Sequence, residues 1–239
     1  MYNRLMRKNI IEVVLLFLAF YLPGFIWTNP PVAGNGQALA QYMVQFLTMA
    51  VPQILLLLYL LQLRHDHPGD FGLVRPRAID LLYALGIFGG ILALLFVLGA
   101  FLSLLPEAGR RLFTRGFRWQ LNDLRLVPLV VLFGLVTGYR EELFFRSYLL
   151  TRFSQLSLPP AVALAASSLL FAAGHLYQGL SGFTVAALQG LYFAVLFIRF
   201  KNIHRIAVAH ALYNISVLLL TAFIGEDLPV RPAGGTIFE

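Results

Sequence analysis

Two adjacent glutamates, Glu141 and Glu142, follow an apolar run that begins at Leu126. Ionisable residues in membrane spans are rare, and they usually face a protein interior or a water-filled cavity. Glu142 and Arg146 are four residues apart, so on a helix they share a face and can form an ion pair. Taken alone, such a pair is typical of an ordinary helix surface. Glu141 lies about 100° around the helix from Glu142 and has no cation on its own face, so it is the carboxylate available for chemistry.

Three more polar side chains lie at helical spacing in apolar segments. His175 follows Phe171 by four residues, and Asn214 follows His210 by four, so each pair shares a helix face. Gly174 is expected to let another helix approach closely beside His175. Taken singly, His175 is typical of a satisfied buried histidine, and His210 with Asn214 of interhelical hydrogen bonding. Taken together with the glutamates, groups from three helices predict a site in the core of a bundle, because each would be costly against lipid.

These residue types can hydrolyse a peptide bond without a covalent intermediate. A carboxylate beside a neutral histidine can hold a water molecule and take its proton, which contributes roughly 10²–10⁴-fold in rate. A second histidine and an asparagine amide can donate hydrogen bonds to an oxyanion, and one such donor is worth about 2.7–4 kcal/mol. The competing assignment is a zinc ion held by one glutamate and two histidines. The HExxH motif is absent, but zinc held between distant helices stays open, so no cofactor is assigned.

The composition is that of an integral membrane protein. Hydrophobic residues make up 59% of the 239 residues and charged residues 12%, whereas a soluble domain is nearer half apolar and a quarter charged. The net charge of +7 does not indicate nucleic-acid binding, because most Lys and Arg residues flank apolar runs, as they do in cytoplasmic membrane loops. The absence of cysteine excludes disulfides, thiolate metal sites and a cysteine nucleophile.

A membrane helix needs about 20 mostly apolar residues, and the chain contains seven candidate spans. The first is expected to be a retained span, with Glu12 near its start reaching toward the lipid head groups. In the third, Gly86, Gly89 and Gly90 are expected to allow close helix approach. The seven are Ile10–Trp27, Gln41–Leu63, Leu81–Leu105, Leu126 to about Leu150, Ala161–Tyr177, Phe183–Phe200 and Ile206–Phe223.

The fold class predicted from these spans is an all-α polytopic transmembrane helical bundle of about seven to eight helices. It forms a single membrane-embedded domain over residues 1–225, followed by a short polar tail at 226–239.

With the N-terminus in the cytoplasm, twelve Lys and Arg residues lie in inner segments and six in outer ones. Because inner segments carry the excess of these residues, their distribution predicts this orientation. The five arginines of the outer loop Pro106–Arg125 favour the opposite orientation. With Phe113, Phe117 and Trp119 among them, these arginines predict an amphipathic helix on a membrane surface. On the N-inside topology, the Glu141 end of the fourth span lies near the cytoplasmic face.

This topology makes it difficult for Glu141 and His175 to meet. At 1.5 Å rise per residue, His175 lies about 21 Å along its helix from Ala161, so it is deep where Glu141 is shallow. The two groups meet only if the fifth helix is strongly tilted or starts below the membrane surface, which Pro159 and Pro160 permit.

The polar residues, considered jointly, resemble the CPBP family of intramembrane glutamic endopeptidases, also called the Abi or type II CAAX prenyl endopeptidase-like family. The resemblance covers about residues 126–223, a protease-like core, and the first three spans match only in being hydrophobic. A difference is Ser147, which stands where the family often has glycine and affects local packing. The matching motifs are EExxxR at Glu141, Glu142 and Arg146, FxxxH at Phe171 and His175, and HxxxN at His210 and Asn214.

The resemblance implies a helical bundle with a cavity open to the cytoplasmic side and a glutamate-dependent endopeptidase, once described as a metalloprotease. It implies that Glu141 activates water and that His175 helps to hold it. It also implies that His210 and Asn214 form the oxyanion hole. Glu142, Arg146 and Phe171 would support the site.

The leading hypothesis is therefore an intramembrane endopeptidase that cleaves a membrane-associated protein or lipidated peptide, of a CAAX-type prenylated or bacteriocin-like class. The expected location is the inner (plasma) membrane, with the lipid bilayer as a partner and no nucleic acid. The alternative is a non-catalytic membrane immunity or scaffolding protein that keeps its polar core for structure. A proton-coupled transporter is disfavoured, because no inverted repeat or matched pair of broken helices is visible.

Overall fold

The computed structural model describes residues 2–27, 36–114 and 120–224, and within these ranges it is helical, with no β-strand. This confirms the predicted all-α bundle. The predicted tail at 226–239 lies outside these ranges. The α-helices are α1 Tyr2–Trp27, α2 Gly36–Leu63, α3 Ala78–Ser103, α4 Glu107–Thr114, α5 Val127–Glu142, α6 Leu150–Gln155, α7 Pro160–Ala173, α8 Gly179–Phe200 and α9 Ile203–Ile224.

Four of the helices are long and apolar enough to cross a membrane, so the chain is a multi-pass membrane protein. They correspond to the predicted second, third, sixth and seventh spans. Shorter apolar helices cover Asn9–Leu22 and Pro160–Ala173, within the predicted first and fifth spans. The four long segments are Gln37–Leu63, Ala78–Ser103, Leu176–Phe200 and Ile203–Phe223.

The loop after α3 contains the short helix α4, on which Arg110 and Arg111 are exposed. This helix lies within the stretch predicted to be amphipathic. Phe117 and Trp119, which belong to the same prediction, lie outside the described residues.

The acidic helix is longer than predicted. After α5 the chain continues without a break through a π-helical segment, Leu143–Leu149, and then through α6 to Gln155. Glu141 is therefore about 21 Å along the helix from either end. The predicted span ended at about Leu150, so the helix is five residues longer than predicted.

The hairpin between α6 and α7 brings Glu141 and His175 to one level. Ser157 adopts a left-handed backbone conformation (φ 58°), and Pro160 starts α7 in the opposite direction. His175 is about 22 Å along the chain from Pro160, so it reaches the level of Glu141. The two helices are joined where Ser167 Oγ donates a hydrogen bond to the carbonyl of Phe145, at 2.9 Å. The predicted obstacle to their meeting is thereby removed.

Helices α5 and α9 approach closely through two glycines one turn apart, Gly134 and Gly138. A Cβ atom on Gly138 would lie 2.6 Å from the carbonyl oxygen of Ala207 and 2.9 Å from the nitrogen of Ala211. Small residues at this spacing let two helix backbones come together in a membrane. The contact sets the acidic pair, about one turn further along α5, beside α9.

The glycines of α3 behave differently from the prediction. A Cβ atom on Gly86 or Gly89 would meet no atom within 4 Å, whereas one on Gly90 would lie 2.1 Å from Tyr192 Oη. The expectation of close helix approach is therefore wrong for Gly86 and Gly89 and holds only for Gly90. In an apolar helix, sequence spacing does not show which glycine faces a neighbour.

Replacing Gly138 with alanine is expected to destabilise the bundle by about 1–3 kcal/mol, the usual cost of overpacking. The new methyl group would overlap backbone atoms of α9, which cannot rotate away. Gly86→Ala is the matched control, and we expect no loss of stability there because the space is open and alanine favours helix. Thermal unfolding of both variants in the same detergent measures the difference. Equal midpoints for Gly138→Ala and the wild type would contradict the packing described here.

Glu12 faces the protein rather than the lipid head groups, so the prediction for it is wrong. It pairs with Arg64, accepts a hydrogen bond from Tyr148 Oη at 2.8 Å, and lies 3.4 Å from Arg152. Arg152 also pairs with Asp66, at 2.6 Å. The cluster ties α1 to α2 and to the end of the acidic helix. Its partners come from distant parts of the sequence, which is why spacing on α1 did not reveal them.

Candidate active site

The ion pair between Glu142 and Arg146 forms as predicted, but in the core of the bundle. Arg146 Nη1 donates to Glu142 Oε1 at 3.1 Å, and neither side chain is exposed. The interpretation as a helix-surface pair is therefore wrong. The guanidinium also lies 4.3 Å from the ring centre of Phe171 and 5.6 Å from that of Phe193, in cation–π contact. Phe171 thus contacts the cation of the EExxxR motif directly.

His210 lies between the two glutamates. Its Nδ1 is 2.8 Å from Glu142 Oε1, and its Nε2 is 3.6 Å from Glu141 Oε2. An ionised carboxylate only accepts hydrogen bonds, so Nδ1 carries a proton. The second distance is too long for a hydrogen bond. Glu142 is therefore the carboxylate that holds His210 in place, whereas Glu141 approaches the other ring nitrogen without bonding to it.

Glu141 is buried, with 8% of its surface exposed, and its Oε2 atom has no hydrogen-bond partner among the described residues. The same is true of four polar groups on nearby chain segments. Buried polar atoms without partners are rare because each is costly. Their concentration around Glu141 indicates a place where water or a substrate group can bind. The four groups are Tyr21 Oη, Thr137 Oγ1, Glu142 Oε2 and the Nε and Nη2 atoms of Arg146.

His175 lies just beyond the end of α7, where the backbone leaves the helix (φ −109°, ψ 7°). Its Nδ1 lies 3.0 Å from the carbonyl oxygen of Phe171. Because a carbonyl oxygen only accepts, Nδ1 carries the proton and Nε2 is free in the neutral ring. Glu141 is close enough to act electrostatically on this imidazole. The Phe171 ring centre is 4.7 Å from that of His175 and 5.8 Å from that of His210, so one ring contacts both histidines.

Gly174 does not mark a close helix approach, as had been expected. The nearest neighbours of a Cβ atom there would be the carbonyl oxygen of Phe171, at 3.3 Å, and the ring of Tyr21, at 3.9 Å. The tight contact of α7 is instead with Gly190 of α8, where a Cβ atom would be 3.2 Å from Ser168 Cα.

Asn214 is half-buried on α9, one turn after His210. Its side chain makes no hydrogen bond to another described residue. The structure thus joins Glu141, Glu142 and His210 in one group of contacts, to which Phe171 links His175. Asn214 lies near that group only because it follows His210 by about one turn of α9.

Arg140 is a buried residue of the site region that sequence reasoning did not identify. It had been counted as a loop cation, yet only 6% of it is exposed. Its Nη2 donates to the carbonyl of Phe20, its Nε donates to Gln53 Oε1 at 2.6 Å, and its guanidinium lies 4.9 Å from the ring centre of Tyr21. It therefore ties α1 and α2 to the residue before Glu141. Its position directly beside the acidic pair was the available signal.

Ser147, the difference from the family pattern, is buried and has a partner. Its Oγ donates to the carbonyl of Phe71 at 2.5 Å, and Thr151 Oγ1 donates to the carbonyl of Asp70 at 3.2 Å. The serine therefore fastens the acidic helix to the segment between α2 and α3 without touching Glu141.

The residues of the site do not match a zinc centre in their present positions. Across residues 2–27, 36–114 and 120–224, no three histidine, aspartate or glutamate side chains are grouped so that they could hold a metal ion.

Neither the curated proteins nor the solved structures contain a match to this chain. Part of the chain, residues 123–216, is similar to a known family, and this segment carries all three motifs, the whole acidic helix and the hairpin to α7. The matched family is described as type II CAAX prenyl endopeptidase Rce1-like, in agreement with the family that the three motifs resemble.

Proposed function

We propose that this protein is an intramembrane endopeptidase in which Glu141 takes a proton from the water molecule that attacks a peptide bond. The observation that carries the proposal is the buried Glu141 Oε2, which has no hydrogen-bond partner in the described part of the chain and lies 3.6 Å from His210 Nε2. A carboxylate held in this way is free to act as a base, whereas its neighbour Glu142 is committed to Arg146 and His210.

The division of labour between the two glutamates follows from their partners. The charge of Glu142 is compensated by Arg146, so Glu142 can orient His210 without becoming a base itself. With Nδ1 donating to Glu142, Nε2 of His210 carries a proton only when the ring is an imidazolium. In this form, Nε2–H can donate to the oxyanion that develops on the scissile carbonyl.

We assign the remaining roles from the resemblance of the motifs and from the helix faces that carry these side chains. His175 helps to hold the attacking water, and Asn214 adds a second donor for the oxyanion from the same face of α9 as His210. The proton taken by Glu141 is then available for the leaving amine, which completes hydrolysis. The mechanism uses no metal ion.

The substrate class is a membrane-associated protein or peptide, for which a prenylated CAAX-type sequence is the first choice. This assignment rests on the description of the matched family and on the membrane-spanning helices that surround the site. On the charge distribution of the sequence, cleavage takes place on the cytoplasmic side of the plasma membrane.

A comparison of membrane peptides in cells that express the wild type or Glu141→Gln tests the proposal. We expect at least one membrane-associated peptide or unprocessed precursor to accumulate in the variant, because hydrolysis stops while the fold is kept. Glu107→Gln, on the exposed surface of α4, is the control and should leave processing normal.

The alternative of a non-catalytic scaffold predicts identical peptide profiles in all three strains. It also predicts normal biological activity after His210→Ala, provided that this variant inserts into the membrane. Either result would contradict the protease assignment.

A further inference from the structure

Tyr21, on α1, places a hydroxyl group in the region of the acidic pair. The first three predicted spans match the family only in being hydrophobic, so nothing in the motifs points to this residue. Its hydroxyl oxygen is buried and has no hydrogen-bond partner among the described residues. A buried hydroxyl usually finds a partner in the protein, so this one is placed to bind something else.

The ring of Tyr21 lies between the two segments that carry Glu141 and His175. Its ring centre is 5.0 Å from that of Phe145, on the π-helical segment. Its edge is 3.9 Å from the Cβ position of Gly174, the residue before His175. The phenol interacts electrostatically with both glutamates and with Arg140 and Arg146. Tyr21 thus lies between the residue that precedes His175 and the acidic helix.

The hydroxyl of Tyr21 and the Oε2 atom of Glu141 are complementary but not bonded to each other. A tyrosine hydroxyl has an ordinary pKa of about 10, so at neutral pH it is a hydrogen-bond donor. Glu141 Oε2 is an acceptor, and both atoms lack partners. A water molecule between them would accept from the tyrosine and donate to the glutamate, which satisfies both.

The free nitrogen of His175 supplies the third contact. Because Nδ1 donates to the carbonyl of Phe171, Nε2 of the neutral ring is an acceptor. A water molecule has two protons and two lone pairs. Glu141 and His175 accept its two protons, and Tyr21 donates to one lone pair. Only the second lone pair is left, and it is the one that must attack the substrate carbonyl.

We propose that Tyr21 is a further catalytic residue, whose hydroxyl donates a hydrogen bond to the attacking water and so directs its free lone pair at the scissile carbonyl. The inference rests on the proposed endopeptidase function. In the reaction the water oxygen forms a bond to the carbonyl carbon and its proton passes to Glu141. The tyrosine keeps its own proton throughout.

Tyr21→Phe removes only the hydroxyl and keeps the ring contacts. With a synthetic copy of the peptide that accumulates in Glu141→Gln cells, assayed in detergent micelles, we expect kcat to fall roughly 10–100-fold, because misdirected reacting atoms cost about this much. KM should change by less than about twofold, since the peptide itself does not contact the hydroxyl. The midpoint of thermal unfolding should stay constant or rise, because an unpaired buried polar atom is lost.

Tyr59→Phe is the matched control, since Tyr59 on α2 is exposed, and it should behave as the wild type. The split between kcat and KM provides a second readout. Loss of the hydrogen bond to the water should lower kcat alone, whereas a structural change that deforms the site should also raise KM.

The outcomes separate this inference from the proposed function. If Glu141→Gln is inactive while Tyr21→Phe keeps wild-type kcat, the role of Tyr21 is overturned and the protease assignment stands. If no peptide accumulates in Glu141→Gln cells, the protease assignment and the role of Tyr21 are both overturned. If Tyr21→Phe lowers kcat and also lowers the midpoint of thermal unfolding, the hydroxyl is structural and its catalytic role is overturned.

Discussion

Glu141→Gln is expected to slow peptide-bond cleavage by about 10²–10⁴-fold, the range that a general base contributes. Glutamine has the size and shape of glutamate but cannot take a proton from water. The measurement is kcat of the purified variant in detergent, with the peptide that accumulates in cells as substrate.

The fold should survive this substitution. Glu141 makes no hydrogen bond through Oε2, and its distance to His210 Nε2 is 3.6 Å, so no strong contact is lost. Removing a buried charge without a bonded partner is expected to leave the unfolding midpoint unchanged or to raise it. Wild-type turnover by a folded Glu141→Gln variant would rule out Glu141 as the base.

Arg146→Met is expected to be the most destabilising of the substitutions considered, with a loss of about 3–5 kcal/mol. Methionine fills most of the space of the arginine, but Glu142 then stays in the core without its cation. Because its side chain is fully buried, water cannot screen the charge. His210 remains as a neighbour of Glu142 and provides part of the compensation. Chemical or thermal unfolding in detergent measures the loss.

The double variant Glu142→Gln with Arg146→Met tests whether the unpaired charge is the cause. Replacing both partners of a buried ion pair can be nearly neutral, so we expect most of the lost stability to return. The coupling energy from the four proteins of this cycle isolates the pair. Arg110→Met, on the exposed face of α4, is the control for removal of an arginine. Additive losses in the double variant would show that the two residues do not act as a pair.

Local spacing predicted the contacts that lie within one helix. Glu142 and Arg146 are four residues apart, and their side chains meet because the helix repeats every 3.6 residues. The apolar runs predicted the membrane-spanning helices because lipid imposes a minimum length on such a helix. The same reasoning could not tell a buried ion pair from a surface pair, because that depends on what covers the helix.

The end of the acidic helix was predicted less well. The predicted span ends at about Leu150, whereas the helix continues to Gln155. Arg152, near that end, is compensated inside the protein by Asp66, which lies in the segment between α2 and α3. A sequence shows the charge of Arg152, but its partner is distant in the sequence.

The amino-acid sequence by itself determined that the chain is a helical membrane protein and that an EExxxR, an FxxxH and an HxxxN motif lie on three of its helices. Only the tertiary structure decided that Glu142 holds His210 while Oε2 of Glu141 makes no hydrogen bond to a described residue, and that α1 brings Tyr21 into this region. The physical reason is that periodicity fixes which side chains share a face of one helix. Which faces meet depends on close contacts such as that of Gly138 with α9, and these form only when the whole bundle packs.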